Sequence, residues 1–174
     1  MDKIIKFSLL VIFLLTSIVG NAQLNKRKKS KKDTHNFRYE IKCIDTGATG
    51  TVAIKVFSYS KKPKIAIEAA KRNAVHGIIF KGFPKEGKCQ KKDPLSRNPN
   101  LEQEQAEFFK EFFADGGKYL KFVNASTDGA IEGGDISKIS KREYKIGINV
   151  SVNRAALEKD LISAKIIEGL GSRF

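Results

Sequence analysis

The chain has 174 residues and a net charge of +14, from 33 Lys and Arg against 19 Asp and Glu, with two Cys and two His. That length suits one folded domain. The excess of cations points to anionic partners or, alternatively, to a solvated basic surface with no dedicated partner, and so few histidines and cysteines leave little for a metal cluster or a Ser-His-Asp hydrolase.

The N-terminus reads as a targeting segment. Met1–Lys6 carries two lysines, Phe7–Gly20 is apolar, and Gly20-Asn21-Ala22 supplies the small residues a signal peptidase reads. This predicts a signal peptide over residues 1–22, cut after Ala22, and hence export to the periplasm or beyond. The apolar run is shorter than the roughly 20 residues a bilayer span needs, so no transmembrane span is expected after processing. No cysteine follows the run to accept a lipid.

Residues 23–36 form a basic tail holding Lys26, Arg27, Lys28, Lys29, Lys31 and Lys32. Such a like-charge block repels itself and is expected to be disordered. Residues 37–174 are expected to make a single α+β domain. Phe37–Ile44 alternates, with Tyr39, Ile41 and Cys43 on one side and Glu40 and Lys42 on the other; Val52, Ile54 and Val56 make a second such row. The Gly-containing segment Asp45–Gly50 joins them as a hairpin.

Lys62–Phe83 is expected to be an amphipathic helix ending near Phe80. Ala66, Ala70, Ala74 and Ile78 recur at i+4 and would lie close on a sheet, while Glu68, Arg72 and His76 form an opposite row expected to face water. Pro84–Asn100 is a long polar connection carrying Lys85, Lys88, Lys91, Lys92 and Arg97, of the length that is functional or mobile. Leu101–Asp115 reads as a helix with a core stripe of Phe108, Phe109, Phe112 and Phe113. Tyr119–Val123 reads as a third strand, Asn124–Gly134 as a loop, and Tyr144–Val152 as a strongly alternating fourth strand. Asn153 can cap a last helix running to about Glu168. The order β-β-α-α-β-β-α favours a mainly antiparallel sheet of about four strands with about three helices on one face.

Cys43 and Cys89 are the one intramolecular pair available to a disulfide, with a buried thiol beside a loop thiol as the alternative. They give no metal site. Gly47–Gly50 lacks the Gly-Lys-Ser/Thr ending of a phosphate loop, and Glu132-Gly133-Gly134-Asp135 lacks calcium-loop spacing. No cofactor is expected.

Two resemblances bear on function. Ile44-Asp45-Thr46-Gly47-Ala48-Thr49 resembles the active-site signature of retroviral-type aspartic proteases. The resemblance implies Asp45 as catalytic carboxylate, a dimer supplying the second aspartate, an all-β chain and an apolar-apolar-Gly segment near its end. The nearest such segment, Ile166-Ile167-Glu168-Gly169, is interrupted by Glu168, and as a turn between strands Asp-Thr-Gly needs no catalytic explanation. The overall plan, an exported chain with Ala66, Ala70 and Ala74 on a helix and a late alternating strand, is similar to small periplasmic envelope domains. Those of flagellar-assembly accessory proteins and small outer-membrane lipoproteins are the examples. That resemblance implies a non-catalytic binding or assembly module, without the lipoprotein cysteine.

The expected partners are therefore an envelope protein or an anionic surface: lipid headgroups, lipopolysaccharide or acidic glycan. The basic tail and the Lys85–Arg97 loop are the expected contacts. Nucleic acid is disfavoured, since the phenylalanines are expected on apolar faces and leave no exposed aromatic interleaving. An aspartic-type peptidase and a general polyanion or nucleic-acid binder are the alternatives.

Overall fold

The computed structural model describes residues 37–47, 50–60, 63–87, 89–125, 135–141 and 143–169. The predicted signal peptide, the basic tail and Lys88 lie outside them. The chain divides into units Met1–Asn36 and Phe37–Phe174, and the description that follows is of the second.

The elements run β1 (Tyr39–Thr46), β2 (Thr51–Ser60), α1 (Pro63–Phe80), α2 (Leu101–Glu104), α3 (Ala106–Phe112), a 3-10 turn (Lys118–Phe122), β3 (Val123–Ala125), β4 (Ile136–Ser140), β5 (Glu143–Asn153) and α4 (Arg154–Ser163). The strands make one antiparallel sheet ordered β1-β2-β5-β3, with β4 also on β5. β3 pairs with the C-terminal half of β5 (Val123 opposite Val152) and β4 with its N-terminal half (Ile136 opposite Ile146), so the two share one edge. The α+β class expected from the element order is the class observed.

Alternation builds the core. Val52, Ile54 and Val56 of β2 and Ile146, Ile148, Val150 and Val152 of β5 point to one face and are buried. α1 crosses that face on Ala66, Ala70, Ala74 and Ile78, all buried. Small side chains bring the helix close, and Gly77 lies against β1: a Cβ there would collide with the side chain of Ile41.

Several expectations change. The helix expected over Leu101–Asp115 breaks at Gln105 (φ −111°, ψ 35°) into α2 and α3. Tyr119–Val123 is mostly a 3-10 turn, and the strand that follows is only Val123–Ala125. β4 was not anticipated: all five of its residues are exposed, so no inward row marks it. α4 stops at Ser163 instead of Glu168. Lys165, at φ 57°, turns the chain left-handed there, and the Ile166 N–H closes on Leu161 O at 2.9 Å, the usual way to end a helix at its C-terminus. Asn153 does cap α4, its Oδ1 accepting the Ala156 N–H at 2.9 Å.

The largest correction concerns Arg72 and His76; Glu68, of the same row, faces water as expected. Arg72 and His76 are 2% and 4% exposed, because a second layer lies on the far side of α1. Phe80 meets Phe109 of α3 edge-on at 5.0 Å, and His76 meets Phe113 at 5.8 Å. Phe109, Phe112 and Phe113 are core as expected; their role is to sandwich α1 between themselves and the sheet.

Candidate functional site

The site develops from the end of α1. Gly82, at φ +65°, turns the chain, and a Cβ there would strike the carbonyl oxygen of Lys92, so only glycine lets the loop return so close. Phe83 and Lys92 then exchange backbone hydrogen bonds at 2.9 and 3.1 Å. Farther on, the Leu95 and Ser96 N–H groups donate to Ile78 O and Ile79 O at 3.1 and 2.9 Å. These satisfy carbonyls that a helix end leaves without intrahelical partners.

Cys89, buried, is bonded to Cys43 of β1, with Cα atoms 6.1 Å apart. The pairing that the sequence left open is made. A connection that could have been mobile is thus tied down by a disulfide, a backbone pair and two helix-end hydrogen bonds. Ser96 Oγ and Asn98 tighten it further, with the Asn98 side chain accepting the Asn100 N–H at 2.9 Å ahead of α2.

The tethers act on the backbone and leave side chains outward. Lys85, Lys91, Lys92 and Arg97 are exposed. Lys91 is paired with Asp93 at 2.9 Å, which holds the Asp93 carboxyl below its usual range. Lys85, Lys92 and Arg97 have no ion-pair partner among the described residues. Lys88 lies outside them.

The loop forms one wall of an open groove of about 680 Å³. The opposite wall is α4, with Arg154 and Glu158, and the segment Ile166–Gly169 that Lys165 turns back. Leu95, Leu101, Ile166 and Ile167 give it an apolar lining. Arg154 is paired with Glu158 at 3.2 Å. Nothing in the sequence pattern linked Arg154 or Ile166–Glu168 to the loop. Ile166 was expected on a helix, and the left-handed turn at a lysine carries no strong sequence signal.

A second polar cluster is buried. The Tyr39 O–H donates to His76 Nδ1 at 2.6 Å, and His76 Nε2–H donates to the Glu102 carboxylate at 3.2 Å. This assignment follows from a neutral imidazole, since a neutral ring accepts at one nitrogen and donates at the other. Burial, assisted by the Lys81 charge, pushes His76 down to about 3. The Glu102 contact would be an ion pair only with a charged ring; desolvation decides against that, and burial also raises the Glu102 carboxyl. Burial and the nearby Glu102 charge raise the Tyr39 hydroxyl. Phe37 stacks on the imidazole at 3.6 Å. A histidine that charges only near pH 3 makes a poor general base at neutral pH. Beside it, Arg72 Nη2 meets Asp115 at 2.9 Å, and Asn73 donates to Ser58 at 2.9 Å.

Asp45 lies exposed at the end of β1, opposite Ala53 beside a bulge. Its carboxylate has no hydrogen-bond partner among the described residues. The aspartic-protease resemblance implied an all-β chain, whereas four helices are present among the described residues. Ile166-Ile167-Glu168-Gly169 lines the groove.

The open face of the sheet also differs from expectation. Phe57 points there, its ring over Gly147, with Lys145 Nζ 4.9 Å and Lys42 Nζ 5.9 Å from the ring centroid. Arg38 lies 4.1 Å over Tyr59. Aromatic and basic residues therefore do interleave. Most of these cations are already paired: Lys145 with Glu40, Arg38 with Glu143, Lys55 with Asp135.

Among the described residues, no helix is long and apolar enough to cross a membrane, and no group of three or more His, Cys, Asp or Glu could hold a metal ion. Comparison with family models, with curated proteins and with solved structures yields no match.

Proposed function

We propose that the protein is an exported, non-catalytic binding module of the cell envelope whose anionic partner contacts the loop after α1 through Lys85, Lys92 and Arg97. The observation that carries this reading is a set of cations with no ion pair among the described residues, on a backbone that is already tied down. Binding there would order only side chains, not the chain that carries them, and so would lose less entropy. The basic tail, Lys26–Lys32, would add a longer-range attraction that salt screens. Export rests on the signal-like residues 1–22 and agrees with a disulfide, a bond that persists in oxidising compartments.

The test is binding of poly-L-aspartate to the purified protein, followed between 50 and 500 mM salt. The parent should bind at low salt and release as salt rises. Lys85→Ser/Lys92→Ser/Arg97→Ser, with the tail intact, should bind much more weakly. Equal binding by the triple variant removes the loop from the site, and no binding by the parent removes the reading.

A further inference from the structure

We propose that the partner is a polypeptide, held as an extended segment with alternating acidic and apolar side chains in the groove between the loop and α4. This rests on the reading above and adds the groove's second wall to it.

The argument is one of shape and charge together. A membrane surface or a uniformly charged polymer is best met by a broad face of one sign. The groove is instead concave and of mixed sign. Its lining includes the cations Lys91, Lys92, Arg97 and Arg154 and the carboxylates of Asp93, Glu158 and Glu168.

Internal pairing cancels part of that set: Lys91 with Asp93, Arg154 with Glu158. Among the described residues, what remains for a partner is Lys92 and Arg97 on the loop wall and Glu168 on the other. The same lining includes the apolar side chains of Leu95, Leu101, Ile166 and Ile167. Leu95, Ile166 and Ile167 are only half-buried. A purely anionic chain would gain from Lys92 and Arg97, meet Glu168 unfavourably and leave the apolar lining wet. An extended peptide sends successive side chains to opposite sides. It can therefore present carboxylates to the loop cations while its apolar side chains cover the lining. Its backbone N–H groups are neutral donors of the kind Glu168 can accept from.

The tethers fit this use. The Leu95 and Ser96 N–H groups are committed to α1, so the spacing between Lys92, Leu95 and Arg97 is set before any partner arrives. A preset array of alternating cationic and apolar positions is what a partner of fixed repeat would meet.

The experiment measures fluorescence anisotropy with three labelled ten-residue peptides: alternating Glu and Leu, alternating Glu and Ser, and alternating Lys and Leu. Poly-L-aspartate and phosphatidylglycerol vesicles serve as competitors. The Glu-Leu peptide should bind about tenfold more tightly than the equally charged Glu-Ser peptide, roughly the effect of burying two or three methylene groups. Lys92→Glu/Arg97→Glu changes two exposed side chains and should leave folding intact. It should lose the Glu-Leu peptide by about tenfold or more and gain the Lys-Leu peptide.

If Glu-Ser and poly-L-aspartate bind as well as Glu-Leu, the site is a charged surface: the anionic-partner reading stands and the polypeptide inference is overturned. Binding of vesicles but of no peptide, lost in the charge-reversed variant, overturns it in favour of a membrane. Binding of none of the probes overturns both.

Discussion

Two polar regions adjoin at the C-terminal half of α1 and lie in opposite environments. Arg72 and His76 are on the helix and sealed under α2, α3 and the 3-10 turn, each with a polar partner: Asp115 for one, Tyr39 and Glu102 for the other. Lys92 and Arg97 are on the loop that leaves the helix, with tethered backbone and exposed side chains. The difference shows that residue type does not decide what a polar group does; what covers it decides. A buried imidazole loses its charge and becomes part of the packing. An exposed cation keeps its charge, and a fixed backbone makes that charge usable.

The largest effect that could break this comparison is in pH dependence. With His76 near 3 in the fold and about 6.5 unfolded, the unfolded chain binds the extra proton between those values. Stability should therefore rise with pH across that window, by up to about 1.4 kcal/mol per pH unit, and be fully present above it. Glu102 titrates in the opposite sense, its raised carboxyl favouring the fold at lower pH, and so offsets part of this slope. Urea unfolding at several pH values should show the slope in the parent and lose it in His76→Phe. A parent with no slope means His76 is not a buried neutral ring.

Cys43→Ser/Cys89→Ser comes next. The bond spans 46 residues, and on a loop-closure estimate its removal should lower stability by about 4 kcal/mol, read as a lower urea midpoint and matched by reduction of the parent. A loss below about 1 kcal/mol would mean that the hydrogen-bonded tethers hold the loop by themselves. Gly82→Ala should cost about 2 kcal/mol, combining an unfavourable positive φ with the collision against Lys92 O. It should also weaken peptide binding, since Lys92 would have to move. Lys92→Ser/Arg97→Ser should stay within about 0.5 kcal/mol of the parent in stability while losing affinity. A large stability loss there would place those residues with Arg72 and His76 after all.

The sheet was legible because period-two rows such as Val52-Ile54-Val56 and Ile146-Ile148-Val150-Val152 need only local information. The small-residue face of α1 was legible for the same reason, and so was the exposure of the loop's cations. The cover over α1 was not. A row of Glu68, Arg72 and His76 reads as solvent-facing when one apolar partner is assumed, and Glu68 is, but the stripe of Phe109, Phe112 and Phe113 needed a surface to pack on, and it covers Arg72 and His76. That stripe was the available signal. β4 escaped because Ile136 and Ile139 lie exposed on an edge and leave no alternation. The groove escaped because its walls come from residues far apart in sequence, joined by a helix end at Lys165 whose left-handed turn has no glycine to mark it.

The central claim, that an anionic partner is held at the tethered loop and not elsewhere on this basic surface, is tested most directly by localising the contact. In a nuclear magnetic resonance titration with the Glu-Leu peptide, backbone amide signals of Lys91–Asn98, Arg154 and Ile166–Glu168 should shift together and saturate together. Shifts concentrated at Arg38, Lys42, Phe57, Tyr59 and Lys145, on the open face of the sheet, would contradict the account and move the site to the other side of the molecule.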